Sequence, residues 1–189
     1  MKNLMKAVLL AAPLLVAGTA TAQTLPPPVI VIVDMDQVIN GSIAGKQAAT
    51  ELKTRADGIQ ARLASLRTQF GTEGEALQKA QPAQTATPAA IGAWQTKARD
   101  LQTRQATAEA DLQKRDRDFQ ASRQVVLKQI NDAAQPIIST VMRERGATIV
   151  LAEGATLQHS AGIDVTKDVV ARLDKALPRV STTAPAVTK

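Results

Sequence analysis

Few residues in this chain could do chemistry, and their spacing weighs against each in turn. Asp34 and Asp36 stand two apart at the end of an apolar run, where an extended backbone would put both carboxylates on one face. Paired carboxylates can act as general acid and base, but no other catalytic group stands nearby in sequence. Solvation at a strand end, or a turn contact, accounts for them. The segment GSIAGKQ, residues 41–47, superficially resembles a phosphate-cradling loop. It has three residues between its glycines where four are needed, and Gln47 replaces the Ser or Thr that would hold magnesium. A helix start explains it fully. His159 is the single histidine and cysteine is absent, so zinc lacks its usual ligands and no Ser- or Cys-based triad assembles. The expectation is a protein that is not an enzyme, with no catalytic residues, cofactor or metal.

The elements that would carry such residues are mostly two-faced helix. In residues 51–70, Leu52, Ala56, Ile59, Leu63, Leu66 and Phe70 recur at steps of four and three. That is a heptad seam, which packs against another helix rather than around a core. The same steps run through Ile91, Trp94, Ala98, Leu101, Gln105, Ala108, Leu112, Arg115, Phe119, Ser122 and Val126. Between the two runs, residues 81–90 are rich in Pro, Thr and Ala, with Pro82 and Pro88 as punctuation. Folding the chain back near position 84 sets Leu77 beside Ile91, Phe70 beside Ala98, Ala56 beside Leu112 and Ala49 beside Phe119. Large then repeatedly meets small, as a seam of constant width requires. A slip of one heptad, with Phe119 beside Ala56, is less regular. In the first register Trp94 faces Glu73, where it either caps the hairpin end or inserts into a partner.

Around the hairpin lie shorter pieces. Residues 29–35, VIVIVDM, read as a buried strand, Asn40-Gly41 as a turn and Ser42 as a helix N-cap. Pro136 should bend the second helix without ending it, and Gly146 should close it. Residues 148–160 read as a β-hairpin turning at Glu153-Gly154. An amphipathic helix opened by Asp164 or Thr166 follows, with Val165, Val169, Leu173 and Leu177 on one stripe. The expected division is a signal peptide at 1–22, a β-body at 23–43 and 147–177, a hairpin at 44–146 with its tip near 82–88, and a disordered tail at 178–189.

Lys2, Lys6, an apolar run from Ala7 to Val16 and the triplet Ala20-Thr21-Ala22 form a secretory signal cut after Ala22; the alternative is a retained anchor, for which the run is short. Without those lysines the chain keeps 21 basic and 17 acidic residues, a net charge of +4. That suits acidic partners and does not demand nucleic acid. Only three aromatic residues, Phe70, Trp94 and Phe119, argue for an elongated shape. A body of roughly 60 residues is marginal alone, and three strands leave open edges; self-association through the sheet would answer both.

The order of a signal peptide, an apolar strand, NGSIAGKQAATEL, a long helical hairpin, ATIVLAEG and DVTKDVVARLDKAL resembles the Skp/OmpH family of periplasmic chaperones over nearly all of the mature chain. The most specific matches are Ser42, Gly45 and Lys46 at the helix start, and Asp164, Val165, Thr166, Val169 and Leu173 at the close. The resemblance implies an α+β, mostly α fold: a long antiparallel coiled-coil hairpin, or tentacle, on a small β-sheet body, three copies forming a homotrimer around a cavity. It implies a holdase that binds unfolded outer-membrane proteins without ATP and passes them to the outer-membrane assembly machinery. Lipopolysaccharide or anionic lipid is a further candidate partner. Candidate client contacts are basic residues off the seam: Lys53, Arg62, Arg67, Lys97, Arg99, Arg104 and Arg123. Ile30, Ile32, Ile149 and Leu151 are the candidate body and oligomer contacts. The rival reading is an envelope adaptor using the hairpin as a spacer.

Overall fold

The computed structural model describes residues 26–184; the expected signal peptide and residues 185–189 lie outside them. Strand β1 (Ile30–Val33) is a run of four β-branched residues, and its partner is β2 (Ile149–Ala152). The two pair in parallel, Ile30 with Ile149 through Val33 with Ala152. Parallel strands need a crossover, and here the crossover is the whole helical excursion between them.

The strand expected over 29–35 stops at Val33 because Asp34 becomes a helix cap. Its backbone is extended, and its carboxylate accepts the Gln37 N–H at 2.9 Å, opening α1 (Met35–Gly41). Asp36 lies in the first turn of α1, where a negative charge suits the helix dipole. The two carboxylates therefore do not share a strand face. Asn40 and Gly41 end a helix instead of forming a free turn.

Ser42 joins α1 to α2 (Ile43–Lys79) and is wholly buried. Its Oγ donates to the Ile39 carbonyl and accepts the Gly45 N–H, each at 3.1 Å. The corner is so tight that a Cβ on Gly45 would sit 1.6 Å from the Ile39 carbonyl oxygen. At 37 residues, α2 is about 55 Å long. Residues 80–87 then turn the chain, and Thr87 caps α3 (Pro88–Glu144) with Pro88 at a position that needs no N–H. This helix has 57 residues, about 85 Å, and runs through Pro136 without ending. It closes on Gly146 at φ 63°, with Gly146 N–H bonded to Arg143 O and Ala147 N–H to Met142 O.

No second strand follows β2 among the described residues. Thr156 turns back onto the Glu153 carbonyl through both its N–H and its Oγ1, at 2.9 Å each, which pulls 153–156 into a tight turn. The free side of β1 is met by a single bridge, Ile32 to Asp164, where Val165 N–H donates to Ile32 O. Helix α4 (Thr166–Ala176) starts where Asp164 accepts the Thr166 N–H at 2.8 Å. Thr166 Oγ1 in turn accepts the Asp34 N–H, tying the start of α4 to the end of β1.

Every one of these elements feeds one core at the base. Val31 and Val33, Val38, Ala44 and Ala48, Val126, Ile130, Ala134 and Val141 meet Val165, Val169 and Leu173 there. Val180 joins them, so the tail is not disordered as expected, at least over 178–184. Away from the base, α2 and α3 lie against each other with far less buried between them: Leu66 and Leu101 are the buried apolar side chains of that stretch.

Candidate functional site: the helical arm and the sheet face

The arm is built as its periodicity dictates. Within residues 51–70, the side chains withdrawn from solvent are Leu52, Ala56, Ile59, Leu63, Leu66 and Phe70, the six seam positions. On α3 the seam keeps Ile91, Trp94, Ala98, Leu101, Ala108, Leu112, Phe119, Ser122 and Val126 at least partly buried, while Gln105 and Arg115 are exposed. Three cross-contacts show the helices antiparallel. Trp94 Nε1 donates to the Leu77 carbonyl at 2.9 Å, Arg104 donates to Glu73, and Arg55 Nη1 donates to Ser122 Oγ at 3.3 Å. Trp94 thus spans the two helices near the tip as a cap.

These contacts correct the register. Glu73, expected opposite Trp94, is bonded by Arg104, ten residues later and about 15 Å further along the helix. Arg55, next to Ala56 and so expected near Leu112, reaches Ser122. Side-chain length covers only part of that distance, so α3 is displaced by about one heptad, toward the slipped alternative. Phe119 accordingly lines a cavity with Arg55, Gly58 and Ile59 rather than sitting beside Ala49. A match of large to small side chains discriminates poorly between registers a heptad apart. The packing of Ala44 and Ala48 with Val126, Ile130 and Ala134 at the base decides it.

All seven basic candidates, Lys53, Arg62, Arg67, Lys97, Arg99, Arg104 and Arg123, are exposed. They do not form one wall. At 100° per residue, Arg62 and Arg67 fall on opposite flanks of the α2 seam and Arg99 on the outer side of α3. Lys97 and Arg104 do come together, beside Glu73 and Leu101 in a shallow hollow. Arg104 is bonded to Glu73 and Asp100, which keeps its guanidinium charged. Arg104, then Gln69, holds the Glu73 carboxyl below its ordinary range. Lys53 pairs with Asp57 at 2.6 Å. Arg62, Arg67, Lys97, Arg99 and Arg123 have no ion pair among the described residues.

The four body candidates fall together. Paired residues of a parallel ladder face the same side, so Ile30 with Ile149 and Ile32 with Leu151 form one face, opposite the core-facing Val31, Val33 and Val150. Ile32 is buried, Ile30 and Leu151 are half-buried, and Ile149 is 39% exposed beside a still more open Val29. Below the sheet, Arg172 clamps α3 to α4 by donating to both oxygens of Glu144 and to Asp168. That guanidinium pulls the Glu144 carboxyl below the usual range. His159 lies in the irregular stretch after β2, near the Ser160 carbonyl and Glu153, which raise its pKa in that order.

Residues 29–173 match the family described as outer membrane protein (OmpH-like). The chain belongs to the OmpH-like family. Among solved structures, the OmpH-like chain is similar to an OmpH-like outer membrane chaperone from Caulobacter crescentus CB15, with a TM-score of 0.71 and 23% identity. The match covers 87% of this chain and 94% of that one, and establishes a shared fold. No curated protein matches the OmpH-like chain significantly.

A second cluster on the OmpH-like arm escapes sequence reasoning. Gln47, Glu51 and Arg55 on α2, with Gln129 on α3, hold residues 180–183. Thr182 Oγ1 donates to Glu51 at 2.6 Å, and this bond, followed by that from Gln47, holds the Glu51 carboxyl below its usual range. In sequence these four look like ordinary solvated helix positions. The faint signal is the single valine of the 178–183 segment, Val180, among hydroxyl residues.

Proposed function

We propose that the protein is an ATP-independent holdase of the periplasm, exported by a signal peptide cut after Ala22, that shelters unfolded outer-membrane proteins until the outer-membrane assembly machinery receives them. What carries this reading is a long helical arm, buried along one stripe only, rooted in a two-stranded sheet with an unfinished apolar face. Three copies joined through Ile30, Ile149 and Leu151, with the already buried Ile32 packed beneath them, would bury that face and the free edge of β2. Their arms, residues 44–146 paired as coiled coils, would then enclose a cavity.

An unfolded β-barrel precursor exposes alternating apolar residues that aggregate in water. A cavity walled by slender arms shields it through many weak contacts. Exposed cations add attraction for acidic segments, screened over about 8–10 Å at ordinary salt. Membership in the OmpH-like family supports this reading.

The test is made on the mature protein. Solution mass should be three times that of one chain. Aggregation of a urea-unfolded outer-membrane protein should be suppressed at stoichiometric amounts without nucleotide. A monomer that suppresses nothing refutes the proposal. Reversing the charges of Lys53, Arg62, Arg67, Lys97, Arg99, Arg104 and Arg123 should weaken capture and its salt dependence while the mass stays the same. Unchanged capture removes attraction by these cations from the mechanism.

A further inference from the structure

The segment after α4 does not simply trail away. Val180 and Thr182 are buried while Ser181 and Thr183 are exposed, an alternation of period two that marks an extended chain lying in a cleft. The cleft runs between α2 and α3, and its polar side chains grip mainly the backbone. Gln47 Oε1 accepts the Val180 N–H at 3.3 Å. Gln129 reads Ser181 on both sides, accepting its N–H at 3.0 Å and donating to its carbonyl at 2.9 Å. Arg55 donates to the Thr182 carbonyl and also to the hydroxyls of Thr182 and Thr183. Glu51 accepts the Thr182 hydroxyl. The single apolar anchor is Val180, which drops into the base core. Beyond the segment, the cleft opens into a cavity of about 970 Å³ walled by Gly58, Ile59, Arg115 and Phe119, with Thr183 and Ala184 at its near end.

Amide and guanidinium groups that bond main-chain N–H and C=O recognise an extended backbone whatever its side chains. One apolar socket and, two residues on along the same face, a hydroxyl acceptor add a preference for an apolar residue followed at i+2 by Ser or Thr. We propose that this cleft is a binding site for extended peptide segments with that spacing, which residues 180–183 fill as a built-in competitor and which a segment of an unfolded membrane strand occupies when the strap lifts. The identity of the incoming segment rests on the holdase reading above, because an unfolded strand offers an extended backbone whose N–H and C=O groups are unpaired. The existence of the site does not rest on it.

The test uses the full mature chain and a labelled peptide, acetyl-VSTTA-amide, matching residues 180–184. In the double variant Val180→Ser, Ser181→Pro, the strap loses its anchor and the N–H that Gln129 accepts, and the walls stay intact. Anisotropy should show the peptide bound at least tenfold more tightly than by the wild-type chain, and adding Gln129→Leu should cancel the gain. A folded double variant that binds no more tightly overturns the proposal. Should the double variant lose its helicity, the wild-type chain decides by trypsin cleavage after Arg179. Saturating peptide should raise that rate several-fold, and an unchanged rate overturns the proposal. Capture of an unfolded outer-membrane protein separates the two readings. Peptide binding without capture upholds the site and refutes the holdase; capture with no peptide binding does the reverse.

Discussion

Gly45→Ala tests whether the base is as tight as its geometry requires. A Cβ there would lie 1.6 Å from the Ile39 carbonyl oxygen and 2.8 Å from its carbon, both rigid backbone. Reaching even a 3.0 Å separation means opening the α1–α2 corner by about 1.4 Å. Ile39 O also accepts from Ser42 Oγ, and Ser42 Oγ accepts from Gly45, so the displacement takes the N-cap with it. A lost cap costs about 1 kcal/mol, and forcing atoms into a packed site about 1–3 kcal/mol. Replacing a helical glycine by alanine returns about 0.5–1 kcal/mol. The net destabilisation is roughly 1–3 kcal/mol, or on the order of 1 M in a urea midpoint at fixed protein concentration. Gly71→Ala is the control. It also lies in α2, but nothing approaches its Cβ position within 4 Å, so it should stabilise by about 0.5–1 kcal/mol. A Gly45→Ala chain as stable as wild type would refute the account of the corner.

Arg172→Leu removes the main cause of the lowered Glu144 pKa. A depressed carboxylate stabilises the fold above its unfolded value near 4.5, and that contribution is lost as pH falls through the folded value below it. Thermal melts should therefore show the variant's stability varying less steeply than wild type between about pH 5 and 3. Ile130→Ala, wholly buried where α3 meets the core, should cost about 2–5 kcal/mol in a denaturant melt. Trp94→Phe keeps a six-membered aromatic ring but loses the indole N–H bond to the Leu77 carbonyl, about 0.5–1.5 kcal/mol. Amide exchange at residues 76–96 should accelerate while that of the base is unchanged.

The features readable from the chain alone are those encoded within one turn or one repeat. The six positions from Leu52 to Phe70 are withdrawn from solvent because a 3.5-residue spacing puts them on one stripe of any helix. Ser42 caps α2 and Gly146 ends α3 for equally local reasons, a short hydroxyl side chain and a tolerated positive φ. Local logic also misled where two local structures competed. Asp34 ended a strand by capping a helix, and Thr156 folded onto Glu153 where a strand was expected. Only the tertiary structure decided the register of α3 against α2, because seams a heptad apart match nearly as well and the tie is broken by Ala44, Ala48, Val126 and Ile130 at the base. It alone placed residues 180–183 in the α2–α3 cleft. The partners Gln47 and Val180 lie 133 positions apart, and a polar side chain bonding a distant backbone leaves no period in the sequence to betray it.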